Sequence, residues 1–362
     1  MVLLEEFWHQ SGTRISQVFR LGRVLGLPVR IGYFVEMEKA RNPRALLDHA
    51  IYAEKKGFQA VWVTDHFHPW VHTDAGCGFT WSWLAAAAEN VRTIPLGPAV
   101  TSPILRYHPA LVAQAFATLG AMYPNRIFLG VGSGEAMNEV PLGYDWPNFK
   151  ERSERFEEAI RIIRTLWTQD FVSFEGKYFK LREANLYTKP DKPIPLYVAA
   201  NGPVNAEIAG KYGDGFLTME SEDISFYREK LFPAVTRGAK SAGRDPNKIT
   251  KMLEVNVAYD ENYERALQAC KRWGTIMIPD FYKYPISDPR EIEARSSSLN
   301  EKELAKIWII SSDPEEHIRR LERYVKEGFT DIHTCNWSYD EYKYIDMYSK
   351  NVIPYFQSNY AW

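Results

Sequence analysis

Asp65-His66-Phe67-His68-Pro69-Trp70 brings a carboxylate, two imidazoles and an indole together in one short string. Gly132-Ser133-Gly134-Glu135 sets a second carboxylate among glycines. An unperturbed imidazole has a pKa of about 6.5, so His66 can take up or release a proton near neutrality. Glu135, between Gly134 and Ala136 at the end of an apolar run, stands where loss of water would raise its pKa and make it a usable acid. A base and an acid of this kind suit reactions in which a hydroxyl becomes a carbonyl. Neither residue decides the matter alone. An Asp-His pair after a strand serves equally well as a turn with a satisfied histidine, although loops are where function concentrates.

The elements that must hold these strings follow from periodicity. Val29–Phe34, Ala60–Thr64, Leu96–Val100 and Ile127–Val131 are short apolar runs, as are Leu196–Ala199, Phe216–Met219, Leu253–Ala258 and Asp331–Cys335. Helical stretches separate them. Asn42 and Pro43 announce one, with Leu47, Ala50 and Ile51 on one face and Gly57 at its end. Another begins at Pro109, with Val112, Phe116, Leu119 and Tyr123 in a stripe. A third covers 151–168, through Phe156, Ala159, Ile160, Ile163 and Trp167. A hairpin at 171–181 turns at Glu175-Gly176. Eight β-runs in β-α order predict an α/β fold of the (β/α)8 TIM-barrel type with insertions. Residues 1–27 read as an N-terminal extension and 28–362 as a single barrel domain. Residues 275–308, rich in Pro, Tyr and Ser, read as an irregular insertion suited to a lid or an interface arm. His49 and His317 lie in helical stretches and are expected at the surface.

In such a barrel the active site lies at the C-terminal ends of the strands. The polar strings fall there: Asp65–Trp70 after the second run, Thr101-Ser102-Pro103 after the third, Gly132–Glu135 after the fourth and Asn201-Gly202-Pro203 after the fifth. The glycines at 130, 132 and 134 miss the GxGxxG dinucleotide pattern, because Glu135 stands three after Gly132. They suit close approach of a flat ring or its tail to the backbone. His66 and His68 form an HxH, the metal-binding start of amidohydrolase-type barrels. The fifth and sixth runs end in Asn201-Gly202 and Thr218-Met219 with no histidine to complete a site, so no metal is expected.

The hydrophobic and charged fractions, 45% and 25%, are those of an ordinary globular chain and exclude disordered classes. A formal charge of −2 gives no reason to expect nucleic acid or a membrane surface as partner. Three scattered cysteines, Cys77, Cys270 and Cys335, make no disulfide framework, and no long apolar run or secretory signal interrupts the chain. A cytoplasmic location is the expectation.

With these residues in hand, the chain resembles the luciferase-like barrel family, and within it the branch that uses coenzyme F420, a deazaflavin. The resemblance runs from about residue 29 to 355. It rests on Thr64–Trp70, Arg106-Tyr107-His108-Pro109-Ala110, Ala113–Thr118, Tyr123-Pro124-Asn125-Arg126 and Gly132–Glu139. The resemblance implies that Asp65, Ser102, Ser133, Gly134, Asn138, Asn201, Gly202, Val204 and Asn205 hold the deazaflavin and its tail. It implies a non-prolyl cis peptide at Ala99-Val100 backing the ring. His66, Trp70 and Glu135 fall on the catalytic trio. In oxidation of an alcohol, His66 as a neutral imidazole would take the hydroxyl proton, Glu135 would protonate the reduced deazaflavin, and Trp70 would orient the substrate oxygen and exclude water. A homodimer is the family's common state.

The substrate reading turns on charge. F420-dependent glucose-6-phosphate dehydrogenases gather a hydroxyl and basic groups around the phosphate. Here the matching positions are Met219, Glu222 and Ile307, and Lys283 alone remains as a substrate-binding base. One lysine beside a glutamate cannot replace a cationic cluster. The expected function is therefore F420-dependent oxidation of a secondary alcohol or an unphosphorylated sugar. A sugar-phosphate dehydrogenase and, further off, an FMN-dependent monooxygenase are the alternatives.

Overall fold

The computed structural model describes residues 28–278 and 280–360. The extension at 1–27 lies outside the described residues, as do the side chains of residues 283, 297 and 298. In chain order the strands are β1 (Arg30–Val35), β2 (Val61–Val63), β3 (Leu96–Pro98), β4 (Leu129–Val131), β5 (Val172–Glu175), β6 (Lys180–Ala184), β7 (Leu196–Ala199), β8 (Gly215–Met219), β9 (Thr250–Tyr259), β10 (Ile309–Ser311) and β11 (Asp331–Asn336). Strands β5 and β6 are the expected hairpin. The parallel order β3-β2-β1-β11-β9-β8-β7-β4 wraps into a barrel. Bridges from Leu96 to Ile127 and from Thr101 to Val131 close it. Between those bridges the Ala99-Val100 peptide is cis, as the family resemblance implied.

Side-chain alternation builds two cores from the same strands. Val61 and Val63 pack outward with the helices, whereas Trp62 joins the interior. The interior is aromatic at its lower end, where Trp62 lies 4.2 Å from Phe128 and 4.0 Å from His333, ring centre to ring centre. The helices begin on local signals. Asn42 accepts from Arg44 N at 3.0 Å with Pro43 in the first turn, and Asn148 accepts from Glu151 N at 3.1 Å, starting a helix that spans Phe149–Thr168.

Two expectations need correcting. The insertion is not irregular: Pro289–Ala294 and Glu301–Ile307 are helices capped by Asp288 and Asn300. It leads into β10, a further parallel strand on β9 that is too short to show a period. His317 is not at the surface. It is buried, with Nδ1 3.1 Å from the Tyr348 hydroxyl and Nε2 3.3 Å from the Ser311 carbonyl, and burial pushes its pKa down to about 4. His49 is half-buried, its ring edge-on to Tyr342.

Candidate active site

Each strand delivers alternate residues to the barrel interior, and near the C-terminal rim some of these are polar. On β1 the inward series from Gly32 and Phe34 continues to Glu36, and on β9 Met252 is followed by Glu254. A cavity of about 120 Å³ opens at this level, lined by His66, Trp70, Glu135, Glu36, Glu254 and Tyr282 among others. Its remaining lining is apolar or uncharged, and no Lys or Arg contributes to it among the described residues.

His66 is held by a residue that the sequence reading did not single out. Glu38, just past β1 and almost fully buried, bonds His66 Nδ1 with one oxygen and accepts from Thr64 Oγ1 at 3.0 Å with the other. His66 Nε2 is left toward the cavity, 4.0 Å from Glu135 Oε2. Burial by itself would lower the His66 pKa, but the Glu38 carboxylate and then Glu135 outweigh it and raise it to about 8. The expected neutral imidazole is thus replaced by an imidazolium paired with Glu38 near pH 7. Trp70 stands edge-on to His66 with ring centres 5.9 Å apart. Glu135 is less enclosed than expected, its side chain 26% exposed, and Asn138 Nδ2 donates to its Oε2 at 3.0 Å.

A wider cleft of about 600 Å³ continues from the cavity past Val100, Ser133, Gly134, Asn201, Gly202 and Asn205. Ala99 lines the inner cavity beside Val100. Gly134 has φ +76°, and a Cβ there would lie 2.6 Å from Ser102 Oγ, so the turn accepts glycine on both grounds. Asn205 Nδ2 donates to Ser133 Oγ at 3.3 Å, joining two neighbouring loops. Gly202 precedes the helix Pro203–Tyr212 without a capping side chain, leaving its first N–H groups to the cleft.

Other expected residues stand behind these surfaces. The Asp65 carboxylate accepts from Thr101 Oγ1 (2.6 Å), Tyr107 OH (3.2 Å) and Arg106 Nη2 (3.3 Å), and lines neither space. Asn138 Oδ1 accepts from Phe67 N at 2.8 Å, clamping the string that carries His66. Val204 is exposed on the helix's first turn. The Lys283 side chain lies outside the described residues. His68 turns away from His66 and meets the Ser287 carbonyl at 3.0 Å in the insertion, so the two imidazoles do not converge. Glu222 is exposed, and Glu220 lines the cleft together with Glu135.

The sequence profile of the luciferase-like monooxygenases matches residues 27–331. A protein of Beutenbergia cavernae named F420-dependent glucose-6-phosphate dehydrogenase is 42% identical over 326 residues, or 90% of this chain and 97% of its own. One of the same name from Mycolicibacterium fortuitum is 40% identical over 328 residues, with the same shares covered. A solved F420-dependent secondary alcohol dehydrogenase, in complex with an F420-acetone adduct, superposes with a TM-score of 0.86 at 38% identity, over 90% of this chain and 98% of that one.

Proposed function

From the fact that this chain belongs to the luciferase-like family, we infer that it is a coenzyme F420-dependent dehydrogenase acting on CH–OH donors. The deazaflavin, when bound, supplies the hydride acceptor for the hydroxyl-bearing carbon of a secondary alcohol or an unphosphorylated sugar. The chain's own residues suit such a ring and tail. Asn205 Oδ1 is buried without a partner at the cleft, with Ser102 Oγ likewise unpartnered behind Gly134, the uncapped helix after Gly202 offers N–H groups to an anion, and Arg152 adds positive charge to the same cleft. The cleft's volume falls in the ordinary range of ligand sites. Ala99 and Val100 would back the ring, with Ser133 and Gly134 along its edge.

The remaining chemistry falls to the rim. His66 Nε2 takes the substrate's hydroxyl proton, Glu38 holds the ring through Nδ1 and stabilises the imidazolium, and Trp70 walls the cavity against water. Glu135 Oε2 is the second proton carrier, aimed by Asn138. Because His66 begins protonated near neutrality, alcohol oxidation gains from higher pH until Nε2 is free. Asp65 serves the site indirectly, tying the His66 string to Thr101 and Arg106.

The observation that carries the substrate choice is the absence of any Lys or Arg among the described residues lining the cavity, beside three carboxyls. The relatives named as glucose-6-phosphate dehydrogenases favour a sugar phosphate, and Lys283 would serve that second reading. Titrating the protein with F420 and then following F420 absorbance with 2-propanol, glucose and glucose 6-phosphate separates the two. Preference for the phosphate ester would overturn the first reading, and oxygen-dependent turnover with FMN would overturn both. We further place residues 28–362 in one barrel unit that works as a cytoplasmic homodimer, which light scattering and cell fractionation test. Among the described residues no helix is long and apolar enough to cross a membrane.

A further inference from the structure

The inner cavity holds more acid than hydride transfer uses. Glu36 and Glu254 lie at its floor with the Cys335 thiol beside both, their ligand atoms all within 4.8 Å of one another. Glu220, only 7% exposed, lines the wider cleft and leaves Oε2 buried without a partner. Glu36 follows β1, Glu220 follows β8 and Glu254 lies within β9, and Glu36 stands two residues before Glu38. Burial drives Glu254 up to about 8 and Glu220 up to about 7, and it raises Glu36 as well, with Glu38 and Glu254 adding to it.

The cations that act on the cluster have partners elsewhere, His66, which acts on Glu254, being bonded to Glu38. Lys39 is committed to Glu341 at 2.5 Å and to the Asn336 carbonyl at 2.7 Å. Arg320 spends its donors on backbone carbonyls from Ala305 to Trp308. Burial holds these acids toward the neutral form, and a cation seated against them would favour their ionised form and be paired by it. A second feature of the same cavity points to its kind. Phe34, Trp70, Tyr282 and Trp337 contribute aromatic walls around the acids. Aromatic faces combined with carboxylates are a surface for an ammonium group. The volume, about 120 Å³, is close to the ~150 Å³ cavity that takes a benzene-sized ligand, which limits the occupant to about six non-hydrogen atoms.

We propose that the substrate is a small amino alcohol, its hydroxyl at His66 and Glu135 and its ammonium seated against Glu36 and Glu254 within the aromatic walls. This rests on the reading of the site as an F420-dependent alcohol dehydrogenase and narrows it. The neutral alcohol and the anionic hydroxy acid of the same shape lack the group that the floor is built to receive.

The decisive comparison uses the whole protein with F420 and three near-isosteres: 1-amino-2-propanol, 2-butanol and lactate. The expected kcat/KM for the amino alcohol exceeds that for 2-butanol by roughly tenfold or more, with lactate poorest, from the value of a desolvated charge pair and cation–π contact. In Glu36→Gln/Glu254→Gln the ratio of amino alcohol to 2-butanol falls to about one. Isopropylammonium should quench the tryptophan fluorescence of the cofactor-free protein saturably, and 2-propanol should not. The wild-type ratios stand even where the double variant fails to fold. Equal or better use of 2-butanol overturns this proposal and leaves the dehydrogenase reading intact. Bound F420 that no hydroxyl compound reduces overturns the dehydrogenase reading and this one with it. One equivalent of zinc retained on purification and lost in Glu254→Gln also overturns it, since the same three groups would then be metal ligands.

Discussion

His66 and His333 sit inside one barrel, one at the rim after β2 and the other midway along β11. Both are withdrawn from water. His333 packs against Trp62 and the backbone of Gly32, and neither ring nitrogen has a hydrogen-bond partner among the described residues. Burial, with Arg30 nearby, pushes its pKa well below the ordinary value, so it stays neutral. His66 pays the same desolvation but has Glu38 on Nδ1, which turns the direction round. The contrast teaches that a barrel interior does not activate a histidine; a carboxylate placed one strand over does. The lower half of the interior is filled by Trp62, Phe128 and Tyr197, while the upper half keeps Glu36, Glu135 and Glu254 at the cavity and Glu38 behind His66.

Breaking the rim should cost most. His66→Ala or Glu135→Gln is expected to lower turnover of F420 with an alcohol by roughly a hundredfold or more, the usual range for a positioned acid or base. Full activity in either variant would remove that residue from the mechanism. Glu38→Gln should come next, with a loss of roughly tenfold to a hundredfold. It also carries a readout that a packing role would not move. In the parent protein log kcat/KM for alcohol oxidation should rise with pH and level off near 8, where His66 loses its proton. Without the Glu38 charge only Glu135 opposes burial, so the inflection should move to lower pH. An unchanged inflection would show that Glu38 does not set the titration.

Much of this arrangement was legible beforehand, for identifiable reasons. Eight strands showed as apolar runs because parallel strands buried on both faces are apolar throughout. The Asp65–Trp70 and Gly132–Glu135 strings stood out because polar residues follow such runs abruptly. What escaped was the first strand's own end. Glu36 and Glu38 flank Met37 just where β1 stops, and extending the strand-end rule from the second strand back to the first would have found them. Glu254 interrupts Met252-Leu253 and Val255 within β9, a charge on an inward position that alternation alone marks. Asp65 reads as a ligand-binding carboxylate in sequence, since nothing local reveals that Thr101, Tyr107 and Arg106 converge on it from the next strand and helix. The partners were in view and their geometry was not.

The smallest effect tests the comparison most closely, because it concerns stability and not rate. His66 has a folded pKa above its unfolded value, so its pair with Glu38 stabilises the fold fully below about pH 6.5 and that contribution is lost as pH rises through 8. His333 has a folded pKa below its unfolded value. The unfolded chain then binds the extra proton, and the stability it contributes is lost as pH falls below about 6.5. Glu38→Gln should therefore flatten the alkaline side of a plot of unfolding midpoint against pH. His333→Phe should flatten part of the acid side, to which His317, His49 and His108 also contribute, and should leave the alkaline inflection of kcat/KM in place. If His333→Phe shifted that inflection, the two ends of the barrel would be electrostatically coupled, and the division between an inert lower interior and a reactive rim would have to be given up.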